Sequence, residues 1–352
     1  MKWRKLLAGM LAVCLAASMM LGCSSSSEEE ETEAEEEEEA EAEEEEEEDD
    51  SSADIDYPNG NINGIVMWAE GGTADTVLRP LCTLASDVLG SSIVVQNKTG
   101  GAGSIATQYV YDEEADGYNL LLGAENPCLY DVLGVLDLTY ENYECAFLVG
   151  DVTTGVVVAA DSEYTSLTEI VDAALAGETV TLASTGTAGL PWEVIALITS
   201  VTGAEFTQVQ YDSDSAAKTA VLSGECDFTI CTILNGIEEY QSGDLIWLSM
   251  LSTEVVEGME DVPLITEEYP DFEEYLPWGP FYGVFVKEGT DDAIIEILAE
   301  AFTEAYEDES YQEVLESLYV NPLGYTGDEA EEYITTWTEN TVNALTTAGM
   351  IE

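Results

Sequence analysis

The 352-residue chain contains no histidine. That absence excludes Ser-His-Asp and Cys-His catalysis, histidine zinc sites and histidine proton relays together. Basic residues are nearly as scarce, with seven Lys and Arg against 74 Asp and Glu and a formal net charge of −67. Residues 57–352 hold only Arg79, Lys98, Lys218 and Lys287 against 53 acids, which excludes nucleic acid as a partner on electrostatic grounds. Such acidity also suits a salty exterior. Cysteine is present but unpatterned. Cys82, Cys128, Cys145, Cys226 and Cys231 are odd in number and lack C-x-x-C or metal-like spacing. They read as buried free thiols and not as a metal site, with a single bridge among them left open. Paired carboxylates can do acid–base work, yet no pair stands out among so many acids. The chain reads as a non-enzyme with no cofactor.

What is present begins with the address. Lys2, Arg4 and Lys5 precede the apolar run Leu6–Leu21, and small residues Gly22-Cys23 follow. A basic start and a short apolar stretch describe a secretory signal over 1–22, not a membrane span of about 18 or more apolar residues. Met20-Leu21-Gly22-Cys23 resembles a bacterial lipobox, which implies lipidation of Cys23 and anchoring to the outer face of the cell membrane. An ordinary signal peptide cut nearby is the alternative. Residues 23–56 then carry Ser24–Ser27 and 21 acids with no Lys or Arg. They bury no apolar surface and repel one another, so a disordered acidic tether is expected. No other run is long and apolar enough to span.

From residue 57 onward, short apolar runs alternate with helical patterns, which predicts an α/β fold. Strands are expected over 63–69, 91–97, 119–124, 144–150, 179–184, 206–211, 226–233 and 245–251. Helices are expected at 75–89, 104–112, 166–176, 190–201, 213–223 and 291–306, with Pro80 an awkward member of the first. Two valine-rich segments, from Gly155 and from Gly283, each follow four strands and precede a helix. They read as crossover strands, each completing the sheet it enters. The domains expected are therefore 57–153 plus 280–352 for lobe I, and 154–279 for lobe II.

Ile65-Val66-Met67-Trp68 ends in Gly71-Gly72, and Thr73 and Asp75 open an amphipathic stretch. A strand, a glycine turn and a helix start present backbone N–H groups to a ligand. Tyr57-Pro58, Gly71-Gly72, Asp75, Arg79, Leu89-Gly90, Val95, Asn97, Gly101-Ala102-Gly103 and Asp116-Gly117-Tyr118 follow in order. This succession resembles the substrate-binding proteins of tripartite tricarboxylate transporters, the Bug family. The resemblance implies a two-lobed type II periplasmic-binding-protein-like (Venus flytrap) fold, each lobe a five-stranded mixed sheet flanked by helices. It extends through Ser184-Thr185-Gly186-Thr187, where Ala188 replaces the family's second glycine and Trp192 its usual histidine. Val209-Gln210-Tyr211, Leu222-x-Gly224-x-x-Asp227 and Trp278 continue it more loosely.

The resemblance places ligand in the cleft between lobes, at Trp68, Gly71, Gly72, Thr73, Asp75 and Asn126 on one side. Ser184, Thr185, Gly186, Thr187, Tyr211 and Trp278 serve the other. Asp75 is expected to cap its helix, and Arg79 to make a structural ion pair. Family members commonly take di- or tricarboxylates on backbone amides, so a small organic acid and delivery to membrane permease subunits are implied. Glu70 and Glu125, in cleft loops, oppose a second carboxylate. A neutral, zwitterionic or amine-bearing ligand therefore stays open, as does a sensor role in which the ligand-loaded protein is presented to a membrane receptor.

Overall fold

Apolar runs rich in Ile, Val and Leu, broken by glycine turns and amphipathic helices, build two sheets. The computed structural model describes residues 55–351 except 188, 212 and 277. The expected signal segment, Cys23 and the acidic stretch up to residue 54 lie outside the described residues. The strands are β1 (Ile62–Val66), β2 (Ile93–Asn97), β3 (Asn119–Ala124), β4 (Tyr143–Val152), β5 (Thr154–Ala159), β6 (Thr181–Ser184), β7 (Thr207–Gln210), β8 (Phe228–Thr232), β9 (Leu245–Leu251), β10 (Phe281–Lys287) and β11 (Val320–Tyr325). The α-helices are α1 (Thr73–Leu89), α2 (Ser104–Asp112), α3 (Tyr130–Leu133), α4 (Leu167–Leu175), α5 (Leu190–Thr202), α6 (Asp214–Leu222), α7 (Ile233–Ser242), α8 (Ile265–Glu268), α9 (Asp292–Tyr306), α10 (Glu309–Ser317) and α11 (Gly327–Thr347).

The first sheet runs β11-β4-β10-β3-β1-β2 and the second β7-β6-β8-β5-β9. β1 pairs parallel with β2 and β3, and β6 parallel with β7 and β8. The crossover strands run against their neighbours: β10 is antiparallel to β3 and β4, and β5 to β8 and β9. The second sheet is thus built from consecutive strands, β5 to β9, while the first is completed by β10 and β11 from the C-terminal part of the chain. The first sheet has six strands where five were expected. The sixth, β11, holds Asn321-Pro322-Leu323-Gly324, a turn-like sequence that is tolerated because the strand lies on the sheet edge.

α1 begins at Thr73 and continues through Pro80, burying Val77, Leu78, Leu81, Cys82 and Ala85 on one face. Packing of that face outweighs the backbone hydrogen bond that proline removes. One apolar cluster extends through both sheets, joining Ile65, Leu121 and Phe285 to Leu182, Ile195 and Phe228. α11 contributes to that continuity by packing against both α5 and β4. All five cysteines in the described residues are unbridged.

The passages between the sheets lie side by side. Only Thr153 separates β4 from β5. Val152 donates its N–H to the Pro280 carbonyl (3.0 Å), just before β10. Gly279 must be glycine here, because a Cβ would lie 2.4 Å from the Val152 carbonyl oxygen. Thr153 is buried, its hydroxyl accepting from Asn321 Nδ2 (2.9 Å) and its carbonyl from Ile233 N–H (3.1 Å).

Candidate functional site

The carboxyl end of β1 leads through Trp68 and the Gly71-Gly72 turn into α1. Gly71 has φ 77°, a left-handed conformation that a side chain would strain, whereas Gly72 is ordinary at φ −73°. Asp75 is buried and binds the turn: its Oδ2 accepts the Gly71 N–H (3.0 Å), and its Oδ1 accepts from Arg79 Nε (3.1 Å) and Asn97 Nδ2 (3.0 Å). Burial alone raises the pKa of this carboxyl, but hydrogen bonds from Arg79, Gly71 and Asn97 outweigh it and hold it below the usual range. Asn97 also donates to the Trp68 carbonyl (2.9 Å), so the whole turn is pinned from behind. Asp75 is thereby committed within the protein. Arg79 makes the structural ion pair expected of it.

No side chain caps α1, so its first-turn N–H groups retain their free valence. The counterpart in the second sheet is Ser184-Thr185-Gly186-Thr187, after β6. Gly186 adopts φ 99°, and Gly189 is the N-cap of α5, again without a side-chain cap. α4, α6, α7, α9 and α10 carry side-chain caps from Ser166, Ser213, Thr232, Asp291 and Asp308, whereas α2, α3, α8 and α11, like α1 and α5, have none. Two of the uncapped helix starts, each with a partial positive charge, follow β1 and β6, which are paired parallel with their neighbours in the two sheets.

Between them lies an acidic interior. Glu125 ends the β3 loop and is 9% exposed, while Glu193 in the first turn of α5 is 1% exposed. Burial pushes the Glu125 carboxyl up to about 7, with the nearby Asp214 charge adding to the rise and Asn126 opposing it. Burial and the Glu125 charge push Glu193 well above the carboxylate range. Asp214, which opens α6, is raised by desolvation and opposed by the Thr185 hydroxyl, yet its residue stays exposed, which places it at the mouth. Tyr282 from β10 is buried among the same groups, with the Thr73 hydroxyl beside its own. Residues of both sheets therefore meet here.

Among the described residues eight buried side-chain polar atoms lack a protein partner, and four belong to this cleft: Glu125 Oε2, Asn126 Oδ1, Ser184 Oγ and Glu193 Oε1. No basic residue answers them. Arg79 is held by Asp75, Lys218 by Glu239 (2.6 Å), and Lys287 by the Glu113 carbonyl (2.9 Å), while Lys98 lies over the Tyr109 ring.

The remaining sequence candidates are distributed unevenly. Trp68 is half-buried beside the first turn, Asn126 is buried next to Glu125, and Thr187 is exposed at the rim. Tyr211 directs its hydroxyl onto Cys226 Sγ (3.4 Å) and packs with the second apolar cluster. Trp278 is buried against Trp337, ring centroids 5.5 Å apart, with its Nε1–H donated to Thr341 (2.8 Å). Glu70 is exposed, unlike Glu125. Glu193, Asp214 and Tyr282 were not anticipated. For Glu193 a signal existed: it is the one charged residue in the helix LPWEVIALITSVT, whose stretch Pro191–Ile198 is otherwise apolar and all buried.

Two pseudo-equivalent mixed sheets, with glycine turns and uncapped helix starts at their strand ends, define a two-lobed solute-binding protein. The chain belongs to the tripartite tricarboxylate transporter family of receptors (TctC), which matches residues 77–345. It is 29% identical over 285 residues to protein BugT of Bordetella pertussis, covering 79% of this chain and 86% of the relative. The fold is shared with a TctC solute-binding protein from Polaromonas (TM-score 0.71, 20% identity, 84% of this chain and 99% of that one). It is shared also with MatC of Rhodopseudomonas palustris with bound malate (TM-score 0.66, 19% identity, 83% and 100%). These solved relatives are binding proteins, and the family is one of extracytoplasmic receptors.

Proposed function

We propose that this protein is an extracytoplasmic solute-binding lipoprotein, anchored through lipid on Cys23, that captures a small organic acid between its two lobes. It delivers that solute to the permease subunits of a tripartite tricarboxylate-type transporter. The observation that carries this reading is the uncapped start of α1 after the Gly71-Gly72 turn, whose N–H groups can hold a carboxylate without any basic side chain; α5 adds less, because Pro191 has no N–H and the Trp192 N–H is taken by the Gly189 carbonyl (2.8 Å). Membership of the receptor family supports it, and so does the malate bound to a protein of the same fold. Trp68, Gly71, Gly72, Thr73 and Asn126 would form one wall, and Ser184, Thr185, Gly186 and Thr187 the other.

A thermal-shift screen of organic acids and amino acids, followed by calorimetry and small-angle scattering, tests the capture step. A saturable ligand that also makes the particle more compact is the expected result. Turnover of the ligand on prolonged incubation would instead indicate an enzyme. Among the described residues no helix is long and apolar enough to cross a membrane; the anchor proposed is the lipobox-like Met20-Leu21-Gly22-Cys23. Cys23→Ala should release the protein from the membrane fraction, and a variant still firmly bound after signal cleavage would refute the anchor.

A further inference from the structure

We propose that α11 is a latch on the two passages between the sheets: Tyr333, Trp337 and Thr341 bond to both passages and hold the lobes in the approached arrangement without help from solute. This rests on the two-lobed solute-binding reading and adds a conformational device to it.

Tyr333, Trp337 and Thr341 recur at every fourth residue of α11, so they share one face of the helix. Each meets a passage residue. Tyr333 donates its hydroxyl to Asp151 Oδ2 (2.6 Å), just before Thr153. Trp337 donates its Nε1–H to the Gly279 carbonyl (3.0 Å), and Thr341 accepts the Nε1–H of Trp278 (2.8 Å). The two indole rings are stacked. Asn340 adds a bond from its Nδ2 to the Glu274 carbonyl (3.1 Å).

The Asp151 bond gives the latch its strength. Asp151 is 3% exposed, and its other oxygen accepts from Asn321 Nδ2 (2.7 Å), which also reaches the Thr153 hydroxyl. Two neutral donors satisfy this carboxyl group, since the four basic residues of the folded part are engaged elsewhere. Pulling α11 off β4 removes the phenol and leaves a buried acid half-partnered, which is strongly unfavourable. α11 also packs against α5 of the second half. A rotation of the halves about Thr153 and Gly279 therefore carries α11 with one half and strips it from the other. The arrangement so held brings Glu125 and Tyr282 of the first half near Asp214 of the second.

Distances between two nitroxides on the full chain, measured by electron spin resonance without solute, test this. The labels go to Val88→Cys on α1 and Val255→Cys after β9, both exposed positions. Cys14, Cys23 and Cys145 are changed to Ala throughout, and the other native thiols are buried. One dominant distance is expected from this parent chain. Tyr333→Phe should raise a second, longer distance about tenfold in population, as loss of a hydrogen bond to an acid does, and Trp337→Phe about fivefold. Tyr311→Phe is the control: it loses a buried hydroxyl bond to the Val77 carbonyl (3.1 Å) wholly within the first half, and should leave the distances unchanged. Should Tyr333→Phe fail to fold, Trp337→Phe and Thr341→Val read the same latch. Distances unmoved in the folded variants, or moved equally by Tyr311→Phe, would overturn the proposal. So would a longer distance already dominant in the parent chain. Because no solute enters the measurement, failure of the latch and failure of the receptor reading in the thermal-shift screen are separate results.

Discussion

The two sheets share one strand order around their crossover strand, β2-β1-β3-β10-β4 against β7-β6-β8-β5-β9, but they treat the turns after β1 and β6 differently. In the first, the Gly71-Gly72 turn is fastened by Asp75, which is held in turn by Arg79 and Asn97. Among the described residues the second turn is tied differently: the Thr185 hydroxyl meets Asp214, Ser184 Oγ is unpartnered, and the only basic residue of that half, Lys218, is bound to Glu239 and the Asn235 carbonyl. One topology therefore supports a preformed platform on one side and a turn with spare polar valence on the other. Preorganisation lowers the entropic cost of binding, whereas unpaired groups concentrate the specificity.

The comparison breaks most readily at Gly72. Gly72→Val puts a Cβ 3.1 Å from the Ala69 carbonyl oxygen and lays a branched side chain over the start of α1. It should weaken solute binding by about 2–4 kcal/mol, the cost of leaving a buried polar contact unmade. Calorimetry showing wild-type affinity would move the site away from this turn.

The acidic interior gives the next effect. Glu125 has its pKa raised from its ordinary 4.5 to about 7 by burial, so the folded state holds its proton more tightly than the unfolded chain does. Its contribution to stability is complete below about 4.5 and is lost as pH rises through about 7. Glu125→Gln stays neutral throughout. Without ligand, its melting temperature should gain on wild type across that window, by the equivalent of about 3 kcal/mol at most. Parallel curves from pH 4 to 8 would show that burial, with the Asp214 charge nearby, does not raise its pKa.

Asp75→Ala tests the fastening itself. The Arg79 side chain is 37% exposed, which discounts the ion pair, so about 2 kcal/mol of stability should be lost, mainly through the Gly71 and Asn97 hydrogen bonds. Denaturant unfolding measures it, and affinity should fall as the platform loosens. Thr187→Ala, on the less constrained turn, removes one rim hydroxyl and should cost only about 0.5–1.5 kcal/mol in binding. A larger loss than from Gly72→Val would reverse the roles of the two turns.

Much of this architecture is legible from periodicity. The expected strands 119–124 and 245–251 and the helix 104–112 match β3, β9 and α2 residue for residue, because each is a clear apolar pattern bounded by turn residues. The crossover strands were legible too, since a valine-rich run before a helix is a local signal. β11 was not, because its Pro322 and Gly324 favour a turn in isolation and only pairing with β4 makes them a strand. The site divides along the same line. Gly71, Asp75 and Gly186 announce themselves through turn chemistry that depends on near neighbours. Glu193 and Asp214 sit in first helical turns, where an acid is commonplace, and only tertiary packing brings them to Glu125.

The side-by-side passages at Thr153 and Gly279 have a mechanical consequence. Two strands that cross at adjacent points, joined by the Val152–Pro280 hydrogen bond, act as two pins on one axle. On the proposed reading such a joint would favour one rotation over sliding or splaying. The turns after β1 and β6 would then lie at the far ends of levers, where a small torsion at Thr153 would become a larger displacement. With Asn321 tied to Thr153 and α11 lying along both halves, the C-terminal segment is the part of the chain that sets how stiff that axle is.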